Sequence, residues 1–514
     1  MEYYAKSKKV QFTSERINEI KKNMKNIEEC LKENLTETDV EILNSSITDI
    51  AEKTEEKQKT LKEHHKDIVT CAEMFFLEYG EYFTEKEKKL VVEACRIHDL
   101  GKVNLVFQAM ICPKLAEKFH IDVRKTQQIP HGFLSAVTIS LDEFDDLSEL
   151  FSDKDFGPFI TAVYYHHDRE DHYNSPAIRK YAEKYYMKQI EEYLNRKIRK
   201  LNCSNLDDLL FRNNVYTGKY IPDSNAWKEY LLIKGLLNKF DYTVSAGYEN
   251  AESAIDLHEK KLVKNIEKFL NGKELRPAQK FMKMNRDKNL IVIAPTGSGK
   301  TEASLLWMNG EKSFYTLPLK VSSNAIYLRI KENYEYKDVA LLHSDAMAVY
   351  LREYNGNEDI GEKYERSKML SQPLTVCTVD QLFRFVYRAL GTEIFAATLK
   401  YSKLVLDEIQ AYEPRVIATI IYGLKMIQEM GGKFAIITAT FPPVLKYFME
   451  QYGLVEGKQY IFKDFTGKEY QVEKYPRHKV EIRHSEMNLD EIRLRGKNRK
   501  VLVICNTVSK AQKL

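Results

Sequence analysis

The sequence predicts a multidomain protein in which an all-α region precedes an α/β domain built on a parallel sheet. Length is the first observation behind this: 514 residues exceed what one hydrophobic core organises. The second is periodicity, since residues 1 to about 245 carry apolar side chains at three- and four-residue spacing in Lys/Glu-rich stretches. The third is a change of texture after the polar, helix-like connector "AESAIDLHEKKLVKNIEKFLNG" (251–272). Short apolar runs then alternate with helix-like segments: "LIVIAP" (290–295), "SFYTLP" (313–318), "VALLHS" (339–344), "LTVCT" (374–378), "KLVLDE" (403–408) and "FAIITAT" (434–440). Strands alternating with helices imply a parallel sheet covered on both faces.

Composition narrows the setting. Lys plus Arg (79) nearly balance Asp plus Glu (75), so total charge neither requires nor excludes nucleic acid. The 7 cysteines lack any C-x-x-C or framework spacing, which fits a reducing cytoplasm and argues against a cysteine-rich zinc site. The start, "MEYYAKSKKVQF", lacks a signal-peptide core, and no apolar run has the length of a membrane span. A cytoplasmic protein without a membrane partner is expected.

"APTGSGKT" (294–301) fits a Walker A loop set between a strand-like and a helix-like run. Thr296, Gly297, Ser298 and Gly299 would wrap backbone N–H groups around phosphates, Lys300 would reach the terminal phosphates, and Thr301 would bind Mg²⁺. In "LVLDEIQAY", Asp407 ends a buried strand and would hold the same Mg²⁺, while Glu408 would orient or activate the attacking water. "LRPAQ" (275–279) precedes this pair, "CTVDQLF" (377–383) lies between its members, and "TATFP" (438–442) follows. The ordered series over about 270–445 resembles superfamily-two helicases of the DEAD/DEAH-box kind, which have RecA-like domains. The resemblance implies that Gln279 contacts adenine and that Thr438 and Thr440 couple hydrolysis to strand movement. It departs at Gln410, where many relatives carry His or Asp. "RKVLVICNTVSKAQKL" (499–514) reads as a strand and a helix start, like the opening of a second RecA-like lobe. The lobe that would supply an arginine finger does not follow, so the sequence reads as a fragment expected to bind ATP with little turnover.

Of 12 histidines, several fall in apolar or turn settings before residue 170: His64 and His65, His98 beside Asp99, His131, and His166 with His167. Lone histidines on apolar faces are ordinarily core residues, but two doublets and a His-Asp pair together suit first-row transition metals. Two such ions can clamp both oxygens of an in-line phosphodiester displacement. Periodicity does not decide between His64 and His65, which flank one apolar face of Leu61, Ile68, Ala72 and Phe75. Lys102, after "HDLG", would either meet a substrate phosphate or be a solvated lysine.

The series H…HD…H…HH…D resembles the HD superfamily of metal-dependent phosphohydrolases. That resemblance favours His64 and implies His98, Asp99, His131, His166, His167 and Asp241 as the remaining ligands, with His98, Asp99 and Lys102 in catalysis. It implies two divalent ions without distinguishing Mn, Fe, Co, Ni or Zn.

An HD half joined to such a helicase, with "YYAKS", "FDYTVSAGYE" and "LVLDEIQAY", resembles the CRISPR-associated helicase-nucleases of type I systems. The expected organisation is an HD-type nuclease domain at 1–250, a first RecA-like domain at 251–490, and the start of a second at 491–514. The resemblance implies a monomer that uses ATP with Mg²⁺. It would cleave single-stranded DNA opened by an RNA-guided type I surveillance complex. Two other readings accompany it: an HD nucleotide phosphohydrolase regulated by an ATP-binding domain, and a non-catalytic nucleic-acid-binding remodeller.

Overall fold

The computed structural model describes residues 3–5, 9–10, 56–57, 59–139, 156–167, 173–198, 201–203, 206, 210, 225–253, 261–353, 360–470, 480–484 and 488–512. The parts of the expected helical half at 11–55, 140–155 and 211–224 lie outside the described residues. Among the described residues, no helix is long and apolar enough to cross a membrane.

The helices that build the N-terminal site are α1 (Leu61–Tyr79), α2 (Glu85–Ile97), α3 (His131–Thr138), α4 (Phe156–Tyr164) and α5 (Asn225–Ser245). Reciprocal capping boxes start the first two: Thr60 pairs with Glu63 and Thr84 with Glu87. Helix α2 buries Leu90, Val91, Ala94 and Ile97, and its cap is His98. A 3₁₀ turn, Leu100–Val103, follows at once. Gly101 is needed there because a Cβ would run into the His131 carbonyl, so the turn and α3 pack backbone to backbone.

The second half is a seven-stranded parallel sheet. Its strands are β1 (Leu290–Ile293), β2 (Ser313–Leu317), β3 (Val339–Leu342), β4 (Leu374–Thr378), β5 (Lys403–Asp407), β6 (Lys433–Thr438) and β7 (Ile461–Asp464), in the spatial order β3-β4-β2-β5-β6-β1-β7. Each apolar run named from sequence supplies one strand. Edge strand β7, only half buried and carrying Lys463 and Asp464, was not among them. Helix α6 (Lys300–Met308) follows β1, and helix α7 (Glu393–Lys400) precedes β5.

Helix α5 packs along α7, with Gly235 at the crossing, where a side chain would meet the Glu393 carbonyl and Ala397. Two ion networks are buried there. Glu393 accepts from Lys234 at 2.8 Å and from Tyr230 at 2.8 Å. Glu252 accepts from Lys239 at 2.8 Å, from Tyr401 at 2.6 Å, and also from Lys312. Burial pushes the Lys312 ammonium down to about 7 against the pull of Glu252. Such pairs are costly to break, since the survivor is left charged and dry.

Residues 467–514 form a separate compact unit. Its described part contains the helices Leu489–Gly496 and Val508–Gln512. The run 501–505, read from sequence as a strand, is not one: it has no neighbouring strand among the described residues, and Leu502 and Ile504 are exposed. A strand exists only through its partner's hydrogen bonds.

Candidate functional site

The N-terminal site converges on Asp99, which is 1 % exposed. Its two oxygens face different histidines. Oδ1 lies 3.2 Å from His131 Nε2 and 3.6 Å from His166 Nε2, while Oδ2 lies 3.3 Å from His64 Nε2 and 3.4 Å from His98 Nε2. Asp241, near the end of α5, meets His64 Nε2 at 3.2 Å and is itself held by Ser245. His167 Nε2 stands 2.8 Å from His131 Nε2. Two ligand groups result: Asp99 with His131, His166 and His167, and Asp99 with His64 and His98. Within each, the ligand atoms lie within 4.8 Å of one another.

Backbone contacts aim the rings. His98 Nδ1 donates to the Cys95 carbonyl at 3.0 Å and His166 Nδ1 to the Val163 carbonyl at 2.7 Å, which turns each Nε2 lone pair toward Asp99. Gly132 leaves room for His166, whose ring a Cβ would crowd. Burial pushes His131 down to about 3 and also lowers His166 and His167. Burial alone would raise the Asp99 carboxyl, but His98 and Lys102 hold it well below its usual range. Asp241 is likewise lowered against burial, by His64, His98 and Lys102. His98 is instead raised, the pull of Asp99 and Asp241 outweighing its burial, so a metal bound there would have to displace its proton. The Nε2 atoms of His64 and His98 are buried without a hydrogen-bond partner, as unligated donors would be. The donor set therefore fits divalent transition metals.

Three placements refine the sequence reading. His64 is the histidine that enters the cluster, whereas His65 turns away to Tyr193, whose hydroxyl is 3.2 Å from its Nδ1. Lys102 is not a solvated lysine: it is buried and donates to Asp99 Oδ2 at 2.6 Å. Gln108, which sequence reasoning missed, bonds the Tyr4 backbone and the Lys102 carbonyl, so the N-terminal "YYA" is strapped to the His-Asp turn.

The second site lies at the start of α6. Gly297 and Gly299 adopt left-handed conformations (φ 77° and 86°) that let the loop curl ahead of Lys300. A cleft of about 350 Å³ opens beside it, lined by Phe269, Arg276, Gln279, Lys300, Thr301 and Arg329. The Gln279 side chain accepts from Arg276 N at 3.0 Å and reaches the Gly299 carbonyl, joining the "LRPAQ" segment to the loop. Thr296 and Ser298 complete the loop, with Thr296 exposed. Asp407 and Glu408 stand at the end of β5, and Lys300 pairs with Glu408 at 2.5 Å. Burial lifts the Asp407 carboxyl to about 6, whereas hydrogen bonds from Lys300 and Gln410 outweigh burial and lower Glu408. Gln410 donates to Glu408 and accepts from Thr438, so the residue that departs from the helicase pattern bridges Glu408 to the Thr-Ala-Thr segment.

With both geometries in hand, the comparisons are specific. Residues 51–224 match the family described as "Cas3, HD domain", and residues 277–448 match "DEAD/DEAH box helicase". The chain joins a stretch similar to the Cas3 HD domain to one similar to DEAD/DEAH box helicases. A Cas3 nuclease/helicase from Methanothermobacter thermautotrophicus is 25% identical over 464 residues, covering 78% of this chain and 54% of the relative. The Cas3 endonuclease/helicase of Escherichia coli K12 is 25% identical over 190 residues, covering 32% of this chain and 21% of that protein. Among solved structures, T. fusca Cas3 aligns with a TM-score of 0.54 at 17% identity, covering 77% of this chain and 50% of that one. The match thus spans about half the length of the M. thermautotrophicus relative and of T. fusca Cas3. Asp241 lies in neither matched stretch, so its place beside His64 is a finding of the structure. The two families imply a divalent metal in the first site and ATP with Mg²⁺ in the second.

Proposed function

We propose that this protein is a metal-dependent endonuclease for single-stranded DNA, coupled to an ATP-driven translocase, in CRISPR defence. The observation that carries the reading is Asp99, one buried carboxylate with an oxygen turned to each of two ligand groups. His64, His98 and Asp241 would hold one divalent ion, and His131, His166 and His167 the other, with Asp99 between them. Ions so held polarise a phosphodiester and supply a hydroxide nucleophile near neutral pH. The chain's own contribution is orientation. Ring N–H groups are committed to backbone carbonyls, Lys102 offsets the charge of Asp99, and the His-Asp turn is strapped from behind by Gln108. A phosphate reaching both ligand groups must be flexible, which favours a single strand over a duplex.

In the second site, Lys300 and the loop amides would bind the phosphates, Thr301 and Asp407 the Mg²⁺, and Gln279 the adenine. Glu408, ionised and held by Gln410, would accept the proton of the attacking water. Residues 1–250 would form the nuclease part, 251–490 the first motor domain and 491–514 the opening of a second. The printed names of the relatives, all CRISPR-associated, support a substrate opened by an RNA-guided surveillance complex.

The test is incubation with circular single-stranded DNA and a panel of divalent metals, without ATP, beside Asp99→Ala. Cleavage by the parent alone is expected. If no metal supports cleavage while free dNTPs are consumed, the nuclease reading gives way to a nucleotide phosphohydrolase.

A further inference from the structure

Tyr315 is fully buried on β2, beside β5, where it stands opposite Val405. From sequence it is one more apolar residue of "SFYTLP", but its hydroxyl is spent on chemistry rather than packing. It donates to Asp407 Oδ2 at 2.7 Å. The side chains of Thr301 and Ser304, on α6, face the same phenol. One buried group thus faces the phosphate loop's helix and touches a residue at the end of β5, two elements that are not neighbours in sequence. The other oxygen of Asp407, Oδ1, is buried without a hydrogen-bond partner. A carboxylate gripped by one oxygen cannot swing about its Cβ–Cγ bond, and its second oxygen is thereby aimed.

We propose that Tyr315 is a positioning residue for the nucleotide's Mg²⁺: it occupies Oδ2 of Asp407 and leaves Oδ1 as the oxygen that meets the ion. This rests on the reading of the second site as an ATP site. It assigns the Mg²⁺-facing atom and adds a residue that none of the nucleotide-binding motifs contains. Phenylalanine fills the same space, so Tyr315→Phe removes the hydrogen bond with little change in packing.

The experiment titrates a fluorescent ATP analogue into the full chain and into Tyr315→Phe, once with Mg²⁺ and once with EDTA, with thermal melting of both proteins alongside. The variant is expected to bind about tenfold more weakly with Mg²⁺, the scale of one hydrogen bond to a charged group, and equally well with EDTA. An equal loss in both arms would reduce Tyr315 to a structural role and overturn the proposal, as would an unchanged affinity in both. If the parent binds no nucleotide in either arm, the ATP-site reading itself fails, and the proposal with it.

Discussion

The two sites are built in opposite ways. The proposed nucleotide site is mostly one contiguous loop, half exposed, whose backbone would do the binding, with Asp407 and Glu408 brought up from a second strand end. The N-terminal site is assembled from side chains of five separated segments, all turned inward on one carboxylate. A loop of backbone donors is complete as soon as the chain folds. A cluster of buried imidazoles and carboxylates leaves polar atoms unsatisfied until something coordinates them. The first arrangement tolerates local change, while the second makes each ligand depend on the packing of several helices.

The sharpest way to test that contrast is to remove one ligand at a time. Asp99 belongs to both ligand groups, so Asp99→Ala should abolish metal uptake altogether, whereas His167→Ala should lose one ion and keep the other. Metal stoichiometry by elemental analysis decides this. Two ions retained in Asp99→Ala would mean that the groups do not share it.

Next in size is the interface between the halves. Glu393→Ala removes a buried ion-pair partner of Lys234 at 2.8 Å and should cost about 3–5 kcal/mol in chemical denaturation. A loss below about 1 kcal/mol would show that the contact is not the dry, tightly coupled pair it is taken for. In the loop-built site the comparable change is gentler. Lys300→Ala should weaken nucleotide binding about a hundredfold, the scale of charge-assisted phosphate contacts. It should leave metal uptake by the histidine cluster unchanged, and equilibrium binding of a labelled nucleotide checks this.

The smallest effect is a pH dependence. Lys312 is lowered from 10.5 to about 7 by burial. Between those values the unfolded chain binds a proton that the folded chain does not, so stability should rise with pH across the window. Raising pH from 7 to 8.5 should add about 1–2 kcal/mol through this group, and Lys312→Met should flatten the slope seen in thermal melts.

Legibility in the sequence follows the same divide. The Walker loop could be read directly because its residues are neighbours and their order is the mechanism. The histidines were legible as a set, but His64 and His65 sit on adjacent faces of α1, and only the packing of Tyr193 against His65 separates them. Lys102 gave no sign of being buried, since its fate depends on the carboxylate one turn back. Tyr315 reads as core because nothing local reports that its hydroxyl reaches a strand end ninety-two positions away. Strand β7 escaped notice because an edge strand with one wet face lacks the apolar run of its neighbours.

Helix α5 carries Asp241 two residues beyond Lys239, and the carboxylates that neutralise Lys234 and Lys239 come from residues 393 and 252. A gene cut at residue 250 would deliver every histidine of the cluster yet remove the buried partners Glu393 and Glu252 of two lysines on the helix that carries Asp241. The support of the histidine cluster thus ends later in the chain than the cluster itself does, and any dissection that keeps the cluster intact must carry Glu252 and Glu393 with it.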